Sequence, residues 1–252
     1  MQQTRLLMGM PITVEVVDPA ITAAVVDAVF DYFAYIDETF STYKQASEIT
    51  RLNMGLLSLS EASADMQTIF RLADQTKQET GGYFDIYHDG YCDPSGIVKG
   101  WAIYQAAQLL KRRGFEHFYV EAGGDIQTSG TNAAGRQWRI GIRNPFNPAE
   151  IVKVIYVGDI GVATSGTYIR GNHIYNPKIN APLTTEVVSL TVIGPDVYEA
   201  DRFATAAFAM GHDGISFIAG LPGFEGYQID RTGRATFTSG FERVTRDVSL
   251  HA

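Results

Sequence analysis

Four stretches rich in Val and Ile, HFYVEAGGDIQTSG, WRIGIRNP, KVIYVGDIGVATSG and VVSLTVIGP, follow one another between residues 117 and 195, with glycines at their turns. β-branched residues favour strands, and glycine favours the tight turns between them. Strands that succeed one another in this way imply antiparallel neighbours. Helical patterns surround them. In ITAAVVDAVFDYFAYIDETFS, Val25, Val29, Phe33, Ile36 and Phe40 fall at helical spacing. SLSEASADMQTIFRLADQTKQETGG reads as a second helix, with Ser60 as its cap and Gly81-Gly82 as its stop. GIVKGWAIYQAAQLLKRRG is a third, closed by Gly114. Residues 5–17 read as an opening strand interrupted by Gly9 and Pro11, and FEGYQIDRTGRATFTS as a closing hairpin. Interspersed helices and antiparallel strands favour an α+β fold over a doubly wound sheet. With no repeat, Pro-rich linker or low-complexity tract, the expectation is one compact domain over residues 1–252, a mixed, largely antiparallel sheet with packed helices.

Bulk properties narrow the function. The chain of 252 residues is 45% hydrophobic and 19% charged, and long enough to bury a core. Its net charge of −8 opposes binding to a phosphate backbone, so nucleic acid is not expected as a partner. The densest basic run, Lys111-Arg112-Arg113, stands where a helix should end and complements its dipole. A single cysteine, Cys92, excludes an internal disulfide and a Cys-based zinc site. The opening MQQTRLLMGMPITVEVV lacks a signal-peptide core and a lipid-anchor Cys, and no run approaches the ~20 apolar residues of a membrane span. A cytoplasmic location is the expectation.

The stretch PDVYEADRFATAAFAMG, residues 195–211, reads as a mostly buried helix. Asp196 and Glu199 have capping-box spacing, and Gly211 supplies a stop. Asp201 and Thr205 stand four residues apart, on one face. Such a pair has two readings. The commoner is a local hydrogen bond at the edge of a core. The other is a hard-oxygen pair suited to Mg²⁺. EAGGDI and GVATSGTY are glycine turns after strands, but neither matches a dinucleotide fingerprint or a P-loop. The five histidines, His88, His117, His173, His212 and His251, include no pair at helix-type metal spacing. A lone histidine such as His173 is more often structural than a general base.

In order along the chain stand MGM, FSTYKQASEITRLN, GGYFDI, DPSGIVKGWA, EAGGDI, ATSGTY, HIYNP and EADRFATAAFAMG. Together they resemble the ApbE family of FAD:protein FMN transferases, from Met8 to about Gly211. The chain resembles a shortened member, since only a brief segment containing YHDGYC separates GGYFD from Asp93. HIYNPKIN also departs from the family's HIIDPxTG pattern, with Asn176, Ile179 and Asn180 at the altered positions.

The resemblance implies an α+β protein that takes FAD as substrate with Mg²⁺ as cofactor. It implies cleavage of the pyrophosphate, transfer of FMN to a Thr or Ser of an acceptor flavoprotein, and release of AMP. It places Met8, Tyr43, Tyr83, Phe84, Asp85, Asp93, Lys99 and Tyr175 against FAD. It places Mg²⁺ on the Gly96 carbonyl, Asp201 and Thr205, and makes His173 the residue that helps activate the acceptor hydroxyl. An FAD pyrophosphatase giving FMN and AMP, and a non-catalytic flavin-binding module, are the alternatives.

Overall fold

The hydrophobic alternation of MPITVEV buries Met10, Ile12, Val14 and Val16 on one face of a strand, and this strand leads into the central sheet. The computed structural model describes residues 1–88, 90–166, 175–178, 181–182 and 185–246, with the side chains of Tyr175, Ala181 and Pro182 excepted. His173 therefore lies outside the described residues.

The elements run β1 (Gln2–Leu7), β2 (Met10–Val16), α1 (Ala23–Phe40), α2 (Glu48–Asn53), α3 (Ala64–Glu79), β3 (Tyr87–His88), β4 (Tyr91–Cys92) and α4 (Ser95–Arg112). There follow β5 (Phe118–Ala122), β6 (Asp125–Ser129), β7 (Trp138–Asn144), β8 (Asn147–Val157), β9 (Gly161–Gly166), β10 (Tyr175–Asn176) and β11 (Ala181–Pro182). The chain closes with β12 (Val187–Gly194), α5 (Val197–Ala209), α6 (Gly214–Ala219), β13 (Glu225–Asp230) and β14 (Ala235–Phe237). Eight strands form one sheet in the order β1-β2-β5-β6-β9-β12-β13-β14, antiparallel at every neighbouring pair. The α+β expectation holds.

The sheet has helices on one face and a β-hairpin on the other. α1, α3 and α4 bury Phe30, Phe33, Ile36, Ile69, Ile97 and Ile103 over the half that contains β2 and β5. α5 and α6 cover the other half, with Phe203, Phe208 and Ile218 against Leu190 and Val192 of β12. Across the sheet, Trp138, Ile142 and Ile155 of the β7–β8 hairpin pack with Ile193, Tyr227 and Phe241. Helix α1 shows why packing decides these elements. Its N-cap Thr22 makes no side-chain cap bond, a loss of about 1 kcal/mol. Val26, Val29, Phe30, Phe33 and Ile36 are all buried, at about 1.5–3 kcal/mol each, and outweigh it.

The elements differ from the sequence reading in several places. The opening strand is a hairpin, because Met8 and Gly9 both take positive φ, 52 and 71, and reverse the chain between β1 and β2. Ser63, not Ser60, caps α3 by accepting from Met66 N–H. Ser58 and Glu61 instead close a capping box around a short 3₁₀ turn. Asp196 does cap α5, accepting from Glu199 N–H at 2.9 Å, but only half of the box forms. The Glu199 carboxylate turns to Arg202, which also binds Glu79.

Candidate active site at the crossing of two helices

Helices α4 and α5 cross where glycine lets them touch. A Cβ on Gly100 would lie 2.6 Å from Asp201 Cβ and 2.8 Å from the Val197 carbonyl oxygen. One turn earlier, a Cβ on Gly96 would lie 3.3 Å from the Phe84 ring and 3.4 Å from Thr205 Cγ2. Gly161 of β9 serves the other side of α5, since a Cβ there would overlap Asp196 and the Val197 nitrogen. The buried amide of Gln127 accepts from Val197 N–H at 2.8 Å and ties the start of α5 to β6. The GIVKG and EADRFAT stretches are thus held face to face, with Lys99 between them.

Three charged side chains meet at this crossing. Lys99 Nζ lies 2.5 Å from Asp125 Oδ2 and 3.5 Å from Asp201 Oδ1. Asp125 and Asp201 are both buried. Asp125 Oδ1 accepts from Thr164 N–H at 2.9 Å, and Asp201 Oδ2 from Gly100 N–H at 2.8 Å. Asp125 Oδ2 accepts no directed hydrogen bond among the described residues, so the Lys99 charge is what compensates it there. Burial pushes the Asp201 carboxyl up to about 7; the Lys99 charge opposes this, the Asp125 charge adds to it, and the Gly100 N–H opposes it again. A carboxyl buried this way holds its proton to higher pH than a free one, and a cation beside it would favour the ionised form.

Thr205 bears on the two readings of the Asp201–Thr205 pair. Thr39, Thr76 and Thr80 each donate to the carbonyl four residues earlier. Thr205 makes no such bond to Asp201 among the described residues. Its hydroxyl is therefore not committed to the backbone of α5. A carboxylate, a neutral hydroxyl and a nearby backbone carbonyl at Gly96 make an all-oxygen donor set of the kind hard divalent cations take. Among the described residues no group of three His, Cys, Asp or Glu side chains could hold a metal. Any cation here would thus lean on neutral oxygens beside one carboxylate.

Lys99 also faces a cavity of about 260 Å³, lined among others by Met8, Met10, Phe40, Tyr43, Ser95 and Val98. The sequence-predicted residues Met8, Tyr43 and Lys99 thus converge. Tyr43 is 97% exposed at the rim. Its loop is braced by Ser47, whose hydroxyl donates to the Ser41 carbonyl, and by Lys44, which is paired with Asp37 and Glu38 at 2.6 Å each. A larger groove of about 740 Å³ lies along α3, lined by Leu59, Phe70, Arg71 and Asp74 among others. It contains none of the predicted site residues, and chemistry is better placed at the smaller cavity.

The remaining predicted residues lie around α4. Phe84 is buried and packs beside Gly96, so its ring walls the start of α4 and offers no open face for stacking on a flavin. Tyr83 carries Lys178 over its ring, 4.5 Å from the centroid. Asp85 pairs with Lys77 at 2.6 Å and accepts from Tyr87 N–H. Asp93 is exposed and accepts from Ser95 N–H at 2.9 Å, at the opening turn of α4. Tyr175 opens β10. Cys92 is buried, and burial with the charges of Asp93 and Asp85 pushes its thiol up to about 12, as befits a structural cysteine.

Asp125 is the site residue that sequence reasoning missed. EAGGDI was singled out for its glycines, and the acid that follows them was the available signal.

Known proteins resemble this chain over part of its sequence and through most of its fold. A FAD:protein FMN transferase of Vibrio cholerae is 36% identical over 132 residues, which cover 49% of this chain and 40% of that protein. One of Haemophilus influenzae is 32% identical over 168 residues, covering 62% of this chain and 49% of that protein. The match thus spans about half or less of the length of these relatives. The solved structure of the flavin transferase ApbE from Vibrio cholerae superposes with a TM-score of 0.84 at 24% identity, covering 97% of this chain and 98% of that one. The ApbE protein of Thermotoga maritima superposes at 0.86 with 21% identity, covering 98% and 99%. At such identities these likenesses establish the fold. The family itself is matched in two stretches, residues 8–90 and 88–227, which meet at the β3–β4 hairpin. With both stretches in place and most of its length accounted for, the chain belongs to the ApbE family.

Proposed function

We propose that the protein is a Mg²⁺-dependent FAD:protein FMN transferase. The observation that carries this is the meeting of Lys99, Asp201 and the Gly96–Thr205 contact at one helix crossing, beside the cavity of Met8 and Tyr43. In this reading FAD lies with its pyrophosphate at the crossing. The cavity, at about 260 Å³, is smaller than the usual ligand pocket of about 300–1,000 Å³. It would take one end of the dinucleotide, with the rest running outward past Tyr43. Lys99 would offset phosphate charge. Asp201, Thr205 and the Gly96 carbonyl would hold Mg²⁺, which supplies charge neutralisation as the phosphoanhydride opens.

The acceptor is a Thr or Ser hydroxyl of a partner flavoprotein. Its oxygen would form a bond to the FMN phosphorus while the bond from that phosphorus to the bridging oxygen breaks. AMP would leave with that oxygen, and the hydroxyl proton would pass to a base, a role the family resemblance gives to His173. Several relatives carry the name FAD:protein FMN transferase, which supports the reading. No described helix is long and apolar enough to cross a membrane.

The test is incubation with FAD, Mg²⁺ and a candidate acceptor flavoprotein, followed by measurement of AMP and of covalent flavin on the acceptor. Both products are expected in equal amounts. AMP with free FMN and no covalent flavin would make the protein an FAD pyrophosphatase. FAD binding without AMP would make it a binding module.

A further inference from the structure

Asp125, at the start of β6, is a buried acid to which the proposed chemistry gives no role. It is 1% exposed and fixed from below, since its Oδ1 accepts from Thr164 N–H. Its Oδ2 holds Lys99 Nζ at 2.5 Å, while the same ammonium stands 3.5 Å from Asp201 Oδ1. A direct ion pair closes to about 2.7–2.9 Å, so Lys99 sits fully against Asp125 and keeps only a longer contact with Asp201. Asp201 Oδ2 is already taken by Gly100 N–H, so Oδ1 is the oxygen that both Lys99 and any cation would seek.

We propose that Asp125 is a positioning residue: it anchors the Lys99 ammonium away from Asp201 and so keeps the Asp201 carboxylate open to a divalent cation. With Asp201 ionised, its carboxylate and that of Asp125 outnumber the Lys99 ammonium, and the excess negative charge draws in a divalent ion. Without the Asp125 charge, Lys99 and Asp201 would neutralise each other, and the ammonium would occupy the cation's place. The inference rests on the cation site proposed above, and concerns what keeps that site available.

The experiment counts bound Mn²⁺, titrated alone into the protein without nucleotide and read from the electron paramagnetic resonance signal of the free ion. Asp125→Asn keeps an Oδ1 for the Thr164 N–H and removes the charge. The expected result is Mn²⁺ affinity about 10- to 100-fold weaker than the parent's, the range for loss of a group that orients a metal ligand. Adding Lys99→Met to that variant removes the competing ammonium and should recover affinity by about tenfold or more, a coupling that independent sites do not show. Parent-like Mn²⁺ affinity in Asp125→Asn overturns the proposal, and so does failure of Lys99→Met to restore it, which would leave Asp125 a turn-pinning residue only. Should Asp125→Asn fail to fold, Asp125→Ser takes its place, alone and with Lys99→Met, and the same two outcomes decide. A parent that binds no Mn²⁺ removes the cation site itself, and this inference with it, before any variant is compared.

Discussion

Met8 holds a left-handed backbone, φ 52, alone among the described non-glycine residues. That conformation costs an ordinary L-residue about 1–2 kcal/mol, and Asn is among the few that accept it readily. Strain of this kind persists where the side chain has a use, and the Met8 side chain lines the cavity beside Lys99. Met8→Asn should therefore relax the turn while losing a half-buried thioether, two terms of similar size. Stability within about 1 kcal/mol of the parent is expected, together with weaker FAD binding by calorimetry. A large drop in melting temperature with FAD affinity unchanged would make Met8 a packing residue only. Thr205 gives a second test at this scale. Because its hydroxyl does not bond back along α5, Thr205→Val should leave thermal stability unchanged or slightly higher. Mg²⁺ affinity should fall, since a proposed oxygen ligand is lost. If the variant melts lower and binds Mg²⁺ like the parent, Thr205 belongs to the core and not to a metal site.

The helix pair is where single residues become an element. Gly100→Ala would drive a methyl to 2.6 Å from Asp201 Cβ and 2.8 Å from a backbone oxygen that cannot swing away. Overpacking of this sort costs about 1–3 kcal/mol or more, and the helices must part to relieve it. Gly96→Ala meets its neighbours only at 3.3 and 3.4 Å, so a milder loss is expected. Melting curves of the two variants should rank them in that order, with equal losses arguing against a close crossing at Gly100. The legible parts of this architecture share a cause. Helices α1, α4 and α5 announce themselves because each is long enough for a buried stripe to repeat. Helices α2 and α6, of six residues each, are too short for a period and were not read from the sequence. The β1–β2 turn was read as an interruption because Met is an unusual residue for positive φ. In the site, the i,i+4 spacing of Asp201 and Thr205 is visible in the chain. Their meeting with Gly96, Lys99 and Asp125 is tertiary, made by glycine contacts across the helix crossing and by β6, and no local pattern encodes it.

For the whole molecule, stability against pH sums over every titrating group, so one buried acid is best isolated by difference. Burial raises the Asp201 carboxyl from its ordinary 3.8 to about 7, against the pull of Lys99. Between those values the folded protein holds a proton that the unfolded chain has released. Stability from this group is therefore greatest at low pH and is lost as pH rises through the window from about 4 to about 7. Asp201→Asn has no proton to lose and keeps its shape. In metal-free buffer the variant should thus gain on the parent steadily from pH 4 to 7, and by a constant amount above it. A shift of this size corresponds to a few kcal/mol. Saturating Mg²⁺ should reverse the order above pH 7, because a ligand that binds only the folded state stabilises it, and the variant lacks the carboxylate proposed to hold the cation. Below that pH the proton competes and the Mg²⁺ effect should fade. Paired melting curves of parent and variant from pH 4 to 9, with and without Mg²⁺, measure all of this at once. A difference between them that ignores both pH and Mg²⁺ would mean that Asp201 is neither strained by burial nor a metal ligand, and that the helix crossing is held together by packing alone.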